Sequence, residues 1–273
     1  MLRSTLFLTG VVLFFTLTSC DENDNLQVFS LDQEIQLGQQ LDSSILSNPQ
    51  ECPVLDSVQC NDAYNYLENI FFGILNSDEV AYREQFPWQI RIIQNDSTLN
   101  AFAAPGGYVY VYTGLIKYLD SEDNLVGVLG HEIAHADLRH SMRNIQRQYG
   151  INILLSLLLG DDANQLTQIA AQLAAGAAGL SFSREFEREA DAASVENLSQ
   201  TPYNCAGARS FFQKLTEDGK TSGIPIFLST HPNPSNRFEN ITQKANAIGC
   251  STQPFNPPSY QDFQQMLPSG TIQ

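Results

Sequence analysis

The segment His131-Glu132-Ile133-Ala134-His135 carries two imidazoles and a carboxylate at a spacing that suits metal chemistry. On an α-helix, residues four apart lie on one face, so both histidines can reach the same metal ion. Glu132 lies beside them, where its carboxylate can act as a general base on a water molecule. This HExxH pattern is typical of zinc metallopeptidases, although so short a pattern also recurs by chance.

The residues before this segment favour a buried helix. Ser121 can cap its N-terminus, and the acids Glu122 and Asp123 fall in the first turn, where the helix dipole favours negative charge. The apolar residues on one helical stripe are Leu125, Val128, Leu129 and Ile133. The sequence therefore predicts that the histidine pair is helical and buried.

A catalytic zinc site uses three protein ligands and keeps one position open, so a third ligand must come from elsewhere. His140 lacks the glycine-assisted turn of metzincins, and we interpret it as a structural residue. In the helix-forming stretch 183–191, Glu187 and Asp191 share one face, so one can bind metal while the other supports a ligand histidine. The alternative is a solvated charged helix, because glutamates and arginines crowd this stretch.

Four sequence pieces, spread over residues 85–245, together resemble one family of zinc metallopeptidases. The family includes the CAAX prenyl protease, bacterial HtpX, the mitochondrial Oma-type peptidase and the periplasmic BepA-type chaperone-proteases. The pieces are Asn100-Ala101-Phe102 followed by Pro105-Gly106-Gly107, the HExxH with Arg139-His140, Ser183-Arg184 with Glu187-x-x-x-Asp191, and Thr230-His231-Pro232 with Arg237. Four pieces in this order are far more specific than any one of them.

The resemblance implies an α+β fold, a mostly helical minigluzincin with a short sheet or hairpin beside the zinc helix. It implies one zinc ion per chain, held by His131, His135 and Glu187, and it gives Asp191 the task of supporting the ligands. Glu132 is then the catalytic base. Neither Glu185 nor Glu189 receives a role.

His231 has three interpretations. In BepA-type members a loop histidine at this motif can approach the zinc, so His231 is a candidate fourth ligand that would switch the protease off. It could instead stabilise the oxyanion, a task for which Arg184 and Tyr203 are also candidates. The third alternative is a solvent-exposed bystander.

Residues 100–112 predict a β-hairpin, since two extended segments flank a Pro-Gly-Gly turn. Zinc proteases commonly bind a substrate as an additional strand along a sheet edge. The resemblance implies this role for Asn100, Ala101, Phe102 and Ala103. A purely structural hairpin is the alternative.

Elsewhere, the patterns predict a strand at 89–94 and helices at 29–46, 64–72, 151–159, 166–180 and 206–215. The two apolar segments, 151–159 and 166–180, are shorter than the ~20 residues that cross a bilayer. We expect a single metallopeptidase domain at 29–250 and an irregular tail at 251–273.

The N-terminus resembles that of an exported lipoprotein. An apolar run from Leu6 to Leu17 follows Arg3, as in a signal peptide, and Leu17-Thr18-Ser19-Cys20 forms a lipobox. We expect a signal peptide at 1–19, lipid on Cys20 and a polar tether at 20–28. The chain would then be a membrane-anchored protein of the cell envelope, on a leaflet that the pattern leaves open.

After Cys20, four cysteines remain, and an even number in an exported protein suggests disulfides. We expect Cys52 to pair with Cys60, which closes a local loop. Cys205 would pair with Cys250, which joins two helical regions.

The net charge of −16, from 30 acidic and 14 basic residues, excludes nucleic acid as a natural partner. The predicted function is zinc-dependent hydrolysis of peptide bonds in misfolded or misassembled envelope proteins. Expected partners are protein or peptide substrates and the outer-membrane assembly machinery. One alternative is a chaperone or assembly scaffold with little proteolysis, and another is a non-proteolytic zinc hydrolase.

Overall fold

The computed structural model describes residues 29–159, 163–174, 181–222, 226–233, 236–255, 257 and 259–270. Its helices are α1 (Leu31–Leu46), α2 (Asn61–Leu75), α3 (Thr113–Tyr118), α4 (Glu122–Asp137), α5 (His140–Tyr149), α6 (Ile151–Leu158), α7 (Ala163–Ala174), α8 (Arg184–Ser199), α9 (Gly207–Ser222), α10 (Ile226–Thr230), α11 (Arg237–Ile248) and α12 (Ser259–Met266). Its strands are β1 (Gln89–Ile93), β2 (Ala101–Ala104) and β3 (Tyr108–Tyr112). The predicted helical α+β fold with a short sheet is confirmed.

The strands form one small sheet in the order β1-β3-β2. Strand β1 runs parallel to β3, whereas β2 and β3 form the predicted antiparallel hairpin. The turn between them contains Gly106 at φ 75°, in the left-handed region that glycine adopts at low cost. Strand β2 therefore lies at one edge of the sheet, beside α4.

Helix α4 carries the HExxH residues and lies in the core, packed against α8 and α9. Its N-terminus is capped as predicted, because the Ser121 side chain accepts a hydrogen bond from the Asn124 backbone N–H. Gly127 permits close approach to α9: a Cβ built there would lie 2.1 Å from the backbone nitrogen of Ala208. The absence of a side chain at this position thus fixes how deeply α4 is buried.

The helix predictions are confirmed in type, with bounds that differ by a few residues. The predicted segment 166–180 is helical as far as Ala174, and its remainder lies outside the described residues. The prediction of an irregular tail is wrong for α12. This helix forms because Tyr260, Phe263 and Leu267 share one face and bury it in the main core.

One of the two predicted disulfides is present. Cys205 and Cys250 are bonded, with their Cα atoms 6.3 Å apart. The prediction of a bond between Cys52 and Cys60 is wrong, since both are free thiols. Cys52 packs into the cluster between α1 and the sheet, whereas Cys60 packs against the main core.

The predicted signal peptide, lipobox and tether lie outside the described residues. Among the helices that the structure describes, none combines the length and the apolar character that crossing a membrane requires.

Candidate metal centre

Helices α4 and α8 bring three of the predicted ligands together. The Nε2 atoms of His131 and His135 lie 3.0 Å apart on one face of α4. Glu187 of α8 reaches both histidines, because each of its carboxylate oxygens lies 3.4 Å from one Nε2 atom. All three side chains are fully buried.

His231 completes this group from the turn that follows α10. Its Nδ1 lies 3.2 Å from Oε1 of Glu187 and 3.4 Å from Nε2 of His131. The ring is held there by stacking on Phe227, with centroids 4.3 Å apart. His231 is completely buried, so the solvent-exposed interpretation is wrong.

The separations suit a tetrahedral metal site. Zinc bonds to histidine and carboxylate ligands are about 2.0–2.2 Å long, which places neighbouring ligand atoms of a tetrahedron roughly 3.3–3.5 Å apart. The four candidate ligand atoms lie within 4.8 Å of one another, and the described part of the chain contains no second group of this kind. These residues therefore fit a metal ion.

The charges also favour a cation. Glu132, Glu187 and Asp191 are buried carboxylates, and Arg237 is the guanidinium that contacts two of them. Its Nη2 donates to Glu187 at 3.1 Å and to Asp191 at 2.7 Å. When the histidines are neutral, as metal ligands must be, one guanidinium leaves two formal negative charges, which a divalent ion would neutralise.

Asp191 contacts a candidate ligand, in the place that the resemblance implies. Its Oδ1 lies 3.0 Å from Nδ1 of His131, the ring nitrogen on the side away from the ligand group. Burial acts to lower the pKa of His131, but contacts with Asp191 and Glu187 outweigh burial and raise that pKa to about 9. Burial acts to raise the pKa of Glu187, yet His231, His131 and His135 hold it well below its usual value.

Glu132 is available as a base. Its carboxylate oxygens are buried and accept no hydrogen bond of normal geometry from the described residues, although the Ala103 backbone lies close enough to act on the pKa of Glu132. Burial raises the pKa of Glu132, although the nearby His231 and His131 act to lower it. Nε2 of His231 lies 3.5 Å from Oε1 of Glu132.

The predicted substrate strand lies at this site. The Tyr112 N–H donates to the Asn100 carbonyl. The direction of the backbone N–H and C=O groups alternates from one residue to the next along an antiparallel strand. Those of Ala101 and Ala103 therefore face the free edge of β2, the edge that pairs with no other strand of this sheet. Asn100 is fully buried, and its Nδ2 has no partner within the described ranges. The Phe102 side chain has a packing contact instead, because its ring stacks on the Tyr110 ring with centroids 4.7 Å apart.

The start of α5 and the middle of α8 also bring together two residues, His140 and Glu189, to which the sequence assigned no role at the metal site. His140 Nδ1 lies 2.9 Å from Nδ1 of His135, and His140 Nε2 lies 2.9 Å from Oε2 of Glu189. The charged-helix pattern of 183–191 gave no signal that Glu189 differs from Glu185. The sequence shows the Arg139-His140 pair after the HExxH, but it does not predict that His140 contacts His135.

Of the three candidate oxyanion donors, His231 alone is brought to the ligand group. The ring of Tyr203 stacks on Phe255, and Tyr203 lies near Glu122 and Asp123 at the N-terminus of α4, about 13 Å along the helix from His131. Arg184 is exposed at the start of α8. Tyr203 therefore lies far from the ligand group, whereas Arg184 stays a candidate.

Comparison with known proteins agrees with this geometry. The sequence profile described as Peptidase family M48 matches residues 65–245. The chain is 29% identical over 244 residues to the beta-barrel assembly-enhancing protease of Yersinia pestis, covering 86% of this chain and 47% of that protein. It is 31% identical over 172 residues to the protein of that name in Escherichia coli K12, and this match covers 59% of this chain and 35% of that protein.

The chain is also similar to a eukaryotic protein. The mitochondrial metalloendopeptidase OMA1 of Schizosaccharomyces pombe is 31% identical over 159 residues, covering 57% of this chain and 46% of that protein. The chain thus spans less than half the length of each of these relatives. The region that the Peptidase family M48 profile matches includes α4, α8 and the turn that carries His231.

Proposed function

Because the chain belongs to peptidase family M48, we propose that it is a zinc metalloendopeptidase that cleaves misfolded or misassembled proteins in the bacterial cell envelope. The observation that carries this proposal is the group of His131, His135 and Glu187 at tetrahedral ligand spacing, with the buried carboxylate of Glu132 beside it. Binding alone would need no buried base at this position.

The residues of the chain divide the chemistry between them. Zinc, when bound, supplies Lewis-acid chemistry that acidifies water and polarises the scissile carbonyl. Glu132 accepts a proton from the attacking water at a carboxylate oxygen and later delivers it to the leaving amine. Asp191 and Arg237 hold His131 and Glu187 in place.

We assign substrate binding to the free edge of β2. A peptide laid along Ala101 and Ala103 would pair with their outward backbone groups, so one backbone recognises another with little sequence selectivity. Such binding must displace the Ser141 hydroxyl, which donates to the Ala103 carbonyl. The unpartnered Nδ2 of Asn100 offers a further donor for a substrate carbonyl.

His231 acts as a fourth ligand that holds the enzyme at rest. Its Nδ1 takes the position that water needs, so displacement of the imidazole would open the site. The His231→Ala variant should therefore hydrolyse casein faster than the wild type while it retains zinc. A fall in rate by about 10²–10³ would instead identify His231 as an oxyanion donor and contradict this role.

The lipobox supports attachment to a membrane through lipid on Cys20. The Cys20→Ala variant should leave the membrane fraction, and its persistence there after a salt wash would contradict the anchor. The name of the Yersinia pestis relative refers to beta-barrel assembly, which supports the outer-membrane assembly machinery as a partner.

The proteolytic function is tested by Glu132→Gln, which keeps the size of the side chain but removes the base. We expect loss of casein cleavage with zinc still bound, whereas the exposed Glu185→Gln should behave as the wild type. If Glu132→Gln retains cleavage, the proposed mechanism is wrong. If it loses cleavage but still complements a deletion strain fully, the chaperone alternative is favoured.

A further inference from the structure

The end of α4 brings two histidines into contact that an unbroken helix would keep apart. On a continuous α-helix, residues five apart point in directions that differ by about 140°. Helix α4 ends before Arg139, which adopts φ 57° in the left-handed region, and α5 then begins at His140. This reversal turns the His140 ring back onto His135.

Arg139 is fixed in that conformation by buried contacts. Its guanidinium forms an ion pair with Glu34 of α1 and donates to the Phe29 carbonyl at 2.9 Å. A left-handed conformation is uncommon for a residue with a side chain and persists where the surroundings stabilise it. The contact between His135 and His140 is therefore a built feature of the fold.

We propose that Glu189 is a positioning residue of the metal centre and acts on His135 through His140. The donors and acceptors form one consistent chain. A His135 that binds metal through Nε2 carries its proton on Nδ1 and can donate it to Nδ1 of His140, 2.9 Å away. His140 then carries its proton on Nε2 and donates it to Glu189, also at 2.9 Å.

The rest of the environment holds this chain in place. The His140 ring is fully buried and stacks on Phe186 with centroids 4.3 Å apart. Arg143 approaches Glu189 at 3.5 Å and covers the Phe186 ring. Asp191 contacts His131 directly. Each of the two ligand histidines is thus hydrogen-bonded to a carboxylate of α8, His131 directly and His135 through the imidazole of His140.

The inference rests on the proposed zinc site and concerns how tightly that site holds zinc. Residues that orient ligand histidines typically change metal affinity by about 10–100-fold when they are removed. We therefore expect Glu189→Ala to bind zinc about 10–100-fold more weakly than the wild type. Glu189→Gln retains an acceptor for the His140 N–H and should lose less affinity.

The test measures the zinc dissociation constant of the purified chain by competition with a chromophoric chelator. Glu185→Ala is the matched control, because it removes an exposed glutamate from the same helix. Because Glu189→Ala leaves the buried His140 N–H without its acceptor, the unfolding midpoint of each metal-free variant is measured first, and zinc binding is compared at a temperature where both are folded. A dissociation constant of Glu189→Ala equal to that of the control would overturn the proposal.

A double variant separates a relay from two independent effects. If Glu189 acts through His140, Glu189→Ala should have no further effect on zinc affinity in a His140→Ala background. Additive losses would also overturn the proposal. Failure of the wild type itself to bind zinc would contradict the metal site, and is thus distinguishable from failure of this inference.

Discussion

Replacing Arg237 by methionine should strongly destabilise the metal-free protein. Arg237 is completely buried and lies within 3.1 Å of two carboxylates, those of Glu187 and Asp191. Its guanidinium also lies 3.3 Å above the Phe212 ring. Methionine fills much of the same volume but removes the guanidinium from both carboxylates, which then keep His131 as their shared cationic partner. Breaking a buried ion pair on one side typically costs about 3–5 kcal/mol, and we expect a loss in that range.

Urea unfolding in the presence of a chelator would measure this loss. For slopes of roughly 2–3 kcal/mol/M, the midpoint should fall by about 1–2.5 M. The control is Arg184→Met, which removes an exposed arginine from α8 and should change the free energy of unfolding by less than about 0.5 kcal/mol. Equal midpoints for the two variants would refute the argument that Arg237 balances the buried carboxylates.

Three further predictions concern helix packing and the cysteines. Gly127→Ala should lose at least about 1–3 kcal/mol of unfolding free energy, because its Cβ would meet α9 backbone; Gly73→Ala, with open space around it, should instead gain up to about 1 kcal/mol. Replacing Cys205 and Cys250 by serine should cost roughly 3–4 kcal/mol through the loop entropy of their 45-residue separation. Alkylation of the unfolded, unreduced protein should label Cys52 and Cys60 but neither Cys205 nor Cys250, and mass mapping of the adducts checks this.

The sequence allowed prediction of the site where local spacing determines geometry. His131 and His135 had to share a face once their segment was helical, and Ser121 marked where that helix begins. The hairpin followed from its Pro-Gly-Gly turn. Glu187 and Asp191 were equivalent from spacing alone, and the family resemblance separated the ligand from its support.

Features that depend on contacts distant in sequence were not predictable. The relay from His135 to Glu189 requires the left-handed Arg139, which is stabilised by Glu34 more than 100 residues away. The same limit explains the wrong disulfide, since loop length cannot reveal that Cys52 faces a different cluster from Cys60. In the tail, the abundance of proline and glutamine obscured the apolar face of α12.

The zinc content of matched variants tests the central claim most directly. Wild-type protein and Glu185→Ala, purified with zinc and dialysed, should each contain about one zinc ion per chain by atomic absorption. Glu187→Ala should contain clearly less than one, because it lacks the carboxylate that lies 3.4 Å from both ligand histidines and leaves only imidazoles around the ion. Equal zinc content in Glu187→Ala and Glu185→Ala, or wild-type protein without zinc, would contradict the proposed metal centre.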